Sequence, residues 1–172
     1  GLSFKKFIGV APFAAHRGKM YPLQLIKQVI AQLSNSGDYA IFLFGGGATE
    51  TAKLDKLASD FKGVTNMAGK LSFTQELQLI SNLDVMLAMD SGNGHLAALY
   101  DIEVLTIWGV THPFLGFAPF NQPNENQLLA DRTKYPLVPT SVYGSTYPDG
   151  YEKAIETISP SAIVEKVLSV LT

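Results

Sequence analysis

Apolar runs and amphipathic stretches alternate along most of the chain. Residues 7–12, 39–44 and 85–89, and then 104–108, are short runs rich in Ile, Val, Leu and Phe. Their apolar side chains fall on both parities, as expected of strands buried on both faces of a parallel sheet. A shorter strand fits around 64–67. Between the runs the period changes to that of a helix. Leu23, Ile26, Val29, Ile30 and Leu33 form one stripe, opened at Pro22 and stopped at Asn35-Ser36-Gly37. Thr49 is positioned to cap a helix whose inner stripe is Leu54, Leu57, Ala58 and Phe61. Ser72 with Gln75 makes a capping box for a helix carrying Leu77, Ile80 and Leu83. A small helix is expected over about 94–100. Ser159 and Pro160 start a last one, with Ile163, Val164, Val167, Leu168 and Leu171 facing inward.

Strand and helix alternating through short links predict an α/β fold, a Rossmann-like parallel sheet with helices on both faces. Ligands bind such sheets beyond the C-terminal ends of the strands. Three unusual turns, at 13–21, 45–49 and 90–95, follow strands and should share that rim. From 109 to 150 the pattern dissolves into Pro, Gly, Asn, Tyr and Phe, a length of irregular chain expected to be functional or interfacial. There is no internal repeat and no low-complexity tract.

Composition narrows the picture. With 172 residues and 47% hydrophobic content, residues 1–172 are expected to form a single domain. Thirteen basic and 15 acidic residues give a net charge of −2, with no block of like charge, which argues against a nucleic-acid partner. There are no cysteines, so disulfides, thiolate metal sites and cysteine nucleophiles are excluded. No apolar run approaches the ~20 residues of a membrane span. The opening Gly1-Leu2-Ser3-Phe4, without an initiator Met, is read as the start of a fragment whose N-terminal partner lies elsewhere.

Chemistry concentrates at Asp90-Ser91-Gly92-Asn93-Gly94-His95, where the apolar run ends and an Ala/Leu helix begins. A strand, a glycine turn and a helix start gather free backbone N–H groups at one point, an arrangement suited to phosphate. Lys19, with Arg17 and His16 beside it, sits between the first strand and the first helix, where a lysine is a counter-charge for a diphosphate or simply a solvated side chain. Asp90 either caps the next helix or accepts bonds from sugar hydroxyls or backbone. His95 reads as a core histidine, a donor to ligand or a metal ligand. With His16, His95 and His112 alone and no H-x-x-x-H spacing, metal is disfavoured. Gly45-Gly46-Gly47 resembles a dinucleotide loop, yet Glu50 stands where G-x-G-x-x-G needs glycine. Those glycines let backbone approach a ligand or turn the chain. Ser91 lacks the G-x-S-x-G frame of a nucleophile elbow. Trp108, Phe114, Phe117 and Phe120 read as a stacking platform, or as core and a surface covered by another domain.

In order along the chain, Gly9-Val10-Ala11-Pro12, Arg17-Gly18-Lys19-Met20-Tyr21-Pro22, Gly45-Gly46-Gly47 and Ala68-Gly69-Lys70-Leu71-Ser72 are followed by Asp90-Ser91-Gly92 with His95-Leu96-Ala97-Ala98 and then Trp108-Gly109-Val110-Thr111-His112-Pro113. This series resembles the C-terminal half of the family-nine, heptosyltransferase-type GT-B glycosyltransferases. The resemblance implies a nucleotide-sugar donor-binding domain whose N-terminal acceptor domain is absent from this chain. It implies that Lys19, Ser91 and Gly92 hold the diphosphate, that Asp90 and His95 line the donor site, and that Gly47, Glu50 and Leu71 lie by the nucleoside. Arg17, beside Lys19, is a further donor-binding candidate. It also implies inversion at the anomeric carbon without an obligatory metal or separate cofactor, with the nucleotide diphosphate sugar as substrate and a base from the N-terminal domain. An ADP-linked heptose or related sugar would pass to a lipopolysaccharide or other envelope glycan, at a cytoplasmic location peripheral to the inner membrane. Asn93-Gly94 stands where family members often have Pro-Met, and His112 where they often have Asp. Two other functions remain open from sequence: a non-catalytic nucleotide-sugar binding module, and a nucleotide-sugar epimerase of related architecture.

Overall fold

The computed structural model describes residues 4–172; residues 1–3, from which the expectation about the chain's start is drawn, lie outside the described residues. Six parallel strands form one sheet in the order β3-β2-β1-β4-β5-β6. They are β1 (Lys6–Ala11), β2 (Tyr39–Leu43), β3 (Val64–Asn66), β4 (Val85–Met89), β5 (Glu103–Trp108) and β6 (Gln127–Leu129). The helices are α1 (Leu23–Ser34), α2 (Gly47–Ser59), α3 (Phe73–Ile80), α4 (Gly92–Ala98) and α5 (Pro160–Leu171).

Alternate residues of the central strands feed two cores. Ile8 and Val10 of β1 and Val85, Leu87 and Met89 of β4 pack with α1, α2 and α5. Ala11, Met86 and Ala88 pack with Ile80 of α3, Leu83 beyond it, and Ala97 and Ala98 of α4. Every residue of β4 is buried, which explains an apolar run with no polar parity. The α3 capping box forms as the sequence predicts: Ser72 Oγ accepts from Gln75 N (3.3 Å) and Gln75 Oε1 accepts from Ser72 N (2.9 Å).

Boundaries differ from expectation in physically interpretable ways. Thr49 does not cap α2: Gly46 is the N-cap, Gly47 opens the helix at φ +69°, and Thr49 falls in its first turn. The small helix begins at Gly92 and ends at Ala98, one cap after Asp90. Leu168 is 37% exposed at the edge of the α5 stripe, while Ile163, Val164 and Val167 are buried. The irregular stretch hides β6, three residues paired with β5 and too short to show a period. Its first residue accepts from the buried indole, Trp108 Nε1 to Gln127 Oε1 at 2.8 Å, so Trp108 is core while Phe114 and Phe120 are exposed.

The order of strands reverses between β1 and β4. The path β1-β2-β3 runs outward on one side, and β4-β5-β6 on the other. A crevice opens at such a switch point, where the connections leaving adjacent strands diverge. Here it is bounded by the 12–22 loop after β1 and the turn after β4.

Candidate functional site

The 12–22 loop contains a 3-10 turn, Arg17–Lys19. Gly18 is buried, and its carbonyl accepts from Val110 N (3.0 Å), just past β5. A Cβ on Gly109 would collide with that same oxygen, so two backbones meet where no side chain fits. This contact fixes the position of Lys19. Its Nζ lies 2.9 Å from Asp90 Oδ2, in a pair whose side chains are only 14% and 6% exposed. Thr111 Oγ1 donates to the same oxygen at 2.9 Å. Loops after β1, β4 and β5 therefore converge on one carboxylate. Among the described residues Asp90 is neither a helix cap nor bonded to backbone; a buried carboxylate needs donors, and two side chains supply them. An ammonium carries three N–H donors, so contact with Asp90 leaves Lys19 capacity for another acceptor.

Beyond Asp90, Ser91 is the N-cap of α4 but makes no side-chain capping bond. Its Oγ is buried with no hydrogen-bond partner among the described residues. Gly92 and His95 are exposed on the first turns of α4. Asn93 Nδ2 donates to Glu76 Oε1 (3.3 Å), tying α4 to α3.

A cavity of about 190 Å³ runs from this turn toward β2, lined by Ala14, Gly45, Gly46, Glu50 and Asn93 among others. Glu50 reaches back so that Oε2 accepts from Gly46 N at 2.8 Å, a carboxylate at the start of α2 where the helix dipole favours it. Gly47 is exposed beside it. Leu71, half-buried in the link from β3 to α3, is on the same rim but does not line this cavity. Arg17 points elsewhere: it lines a larger cavity of about 570 Å³ with Phe13, Lys53, Lys56, Glu152 and Glu156. In a 3-10 turn residues two apart face different sides, which separates Arg17 from Lys19.

Sequence reasoning missed Thr111. Its signal was a threonine following the apolar β5 run, in a position that proves 1% exposed. Next to it, burial and then the charge of Arg132 hold the His112 imidazole below its ordinary pKa of 6.5. Its Nδ1 accepts from Phe114 N (3.3 Å), and the two rings lie 3.6 Å apart. Among the described residues no three His, Asp or Glu side chains are grouped to hold a metal ion. Nor is any helix of the described residues long and apolar enough to cross a membrane.

The family described as glycosyltransferase family 9 (heptosyltransferase) matches residues 3–146, most of the chain. The chain belongs to glycosyltransferase family 9. As a family 9 chain it is 25% identical, over 97% of its length, to lipooligosaccharide heptosyltransferase 2 of Campylobacter jejuni, of which it covers 51%. It is 27% identical to lipopolysaccharide heptosyltransferase 2 of Salmonella typhimurium, over 99% of this chain and 48% of that protein. The chain thus spans about half the length of the curated relatives it matches. Among solved structures, the Escherichia coli ADP-heptose LPS heptosyltransferase II superposes with a TM-score of 0.74 at 20% identity, over 98% of this chain and 47% of that one. An E. coli heptosyltransferase solved with ADP gives 0.71 at 19% identity, over 98% and 45%. These likenesses confirm the parallel α/β fold of the family 9 chain.

Proposed function

We propose that this chain is the nucleotide-sugar donor-binding domain of an inverting glycosyltransferase. The observation that carries the reading is the meeting of Lys19, Asp90 and Thr111 at the switch point, beside the uncapped start of α4. Family membership supports it, as do relatives named for heptose transfer and a neighbour solved with ADP. In this reading Lys19 and the backbone at Ser91 and Gly92 take the diphosphate, and Asp90 and His95 face the donor sugar. The nucleoside lies along Gly47 and Glu50, with Leu71 at its edge.

When the bond from the anomeric carbon to the diphosphate breaks, negative charge grows on the leaving oxygens. Lys19, already held in place, stabilises that charge without reorganising. Stabilisation that grows toward the transition state is what raises the rate. The base that deprotonates the acceptor hydroxyl is assigned to an N-terminal acceptor domain, the half of the relatives this chain does not span. The expected donor is an ADP-linked heptose or related sugar, and the acceptor a lipopolysaccharide or similar envelope glycan. The work is placed on the cytoplasmic face of the inner membrane, and no metal is assigned to the site.

Calorimetric titration of the chain with ADP, UDP, GDP and CMP tests this. ADP is expected to bind most tightly, and Lys19→Ala to weaken it about tenfold or more, the scale of a charge-assisted hydrogen bond. If none of the four binds, or if Lys19→Ala binds ADP as the parent does, the site assignment fails.

A further inference from the structure

Resting on that functional reading, we propose that Gly144 is a positioning residue for Lys19, and that the 140–147 segment is a strap that aims the lysine at phosphate. Gly144 is buried at φ +71°, and a Cβ on it would lie 2.8 Å from both Cγ and Cδ of Lys19 and 3.0 Å from Thr111 Cγ2. The missing side chain is what lets the strap press against the lysine stem. A lysine in an open loop samples many rotamers, and its compact ammonium has no preferred geometry of its own. Here the stem packs against the strap at Gly144, in keeping with a long cationic side chain that stays 14% exposed at a molecular rim.

The strap is anchored on the loop that supplies Thr111. Thr140 N donates to Val110 O at 2.9 Å. Within the strap, Thr140 Oγ1 donates to Thr146 O (2.8 Å) and Thr146 N to Ser141 Oγ (3.3 Å), closing it on itself. At its far end Tyr147 covers Gly18, where a Cβ would lie 2.8 Å from the Tyr147 Cε1 atom. Both glycines flanking the lysine, one in its own loop and one in the strap, are therefore sites of close approach. A methyl at position 144 must displace the Lys19 stem or the Thr111 methyl, carried by the two side chains whose Nζ and Oγ1 hold Asp90 Oδ2.

The experiment compares ADP with AMP binding to the parent chain, Gly144→Ala, Gly37→Ala, Tyr147→Ala, Lys19→Ala and the Gly144→Ala/Lys19→Ala double variant. Gly37 shares φ +71°, but a methyl there would meet no atom within 4 Å, so it isolates backbone strain from contact with the lysine. Gly144→Ala is expected to lower ADP affinity about fivefold to tenfold while AMP changes much less, reducing the preference for ADP over AMP. Gly37→Ala should leave that preference unchanged. In the Lys19→Ala background, Gly144→Ala should have no further effect on it, since the charge whose placement it disturbs is gone. Tyr147→Ala, which loosens the strap without adding an atom, should move the preference in the same direction and serves if Gly144→Ala does not fold. If Lys19→Ala weakens ADP while neither strap variant alters the ADP preference, the positioning role is overturned and the functional reading stands. If the parent chain binds no ADP, both are overturned.

Discussion

At the scale of single residues, the ion pair of Lys19 and Asp90 has a double character. A pair this buried adds little net stability, yet removing one partner strands the other. Lys19→Ala should therefore destabilise the chain by about 3 kcal/mol, and the Lys19→Ala/Asp90→Asn double variant should recover part of that loss, because a neutral amide no longer needs the cation. Denaturant unfolding of the single and double variants checks this. His112 supplies a pH signature. Its folded-state pKa lies below the ordinary 6.5, through burial and then the Arg132 charge, so between the two values the unfolded chain binds more protons. Stability should fall as pH drops below about 6.5, and His112→Gln should flatten that fall in unfolding curves taken at a series of pH values. Lys19 and Asp90 can be picked from sequence because Lys19 stands in a small, basic loop between a strand and a helix, and Asp90 directly follows an apolar run. Thr111 cannot: a threonine after a strand looks the same whether it faces solvent or, as here, donates to a carboxylate contributed by a residue 21 positions away. Adjacency groups Arg17 with Lys19, and the tight turn sends it to a different cavity.

At the scale of elements, what a sequence reveals depends on length and on local capping. The buried strands β1, β2, β4 and β5 announce themselves because each carries a run of largely apolar residues, unbroken in β4 and interrupted by Thr106 in β5. The strand β6 has three residues, one of them a buried Gln bonded to Trp108, and carries no readable pattern. The start of α3 is legible because its signal is covalently local, a serine and a glutamine three apart. Ser72→Ala should cost about 1 kcal/mol, the usual worth of such a cap, measured as a shift of the thermal or denaturant midpoint with no change in nucleotide affinity. The start of α2 is misread from sequence because a glycine at positive φ, rather than a threonine side chain, begins that helix, with Glu50 returning to bond Gly46 N. The turn at the start of α4 is visible as a cluster of small residues; its boundary, Gly92 rather than Gly94, depends on backbone geometry that composition does not encode.

At the scale of the whole molecule, strand order does the organising. Because β1 and β4 are neighbours though far apart in sequence, the 12–22 loop and the turn at 90–95 meet beside β5, and Lys19 reaches a carboxylate about seventy positions further along the chain. Parallel alternation in the sequence predicts that such loops lie on one rim; which two are adjacent follows only from the strand order. The same rim presents exposed Phe114 and the larger cavity around Arg17, whereas Phe120 lies at the other end of β5, beside Gln122, which bonds Ile102 and Val104. The most direct measurement is a crystal structure of the chain with ADP. The expected result places a β-phosphate oxygen within hydrogen-bond distance, about 2.7–3.2 Å, of Lys19 Nζ, with the backbone of Ser91 and Gly92 on the other side and the nucleoside along Gly47 and Glu50. ADP seated instead in the cavity beside Arg17 and Lys53, or bound with its phosphates away from Lys19, would contradict the proposed site.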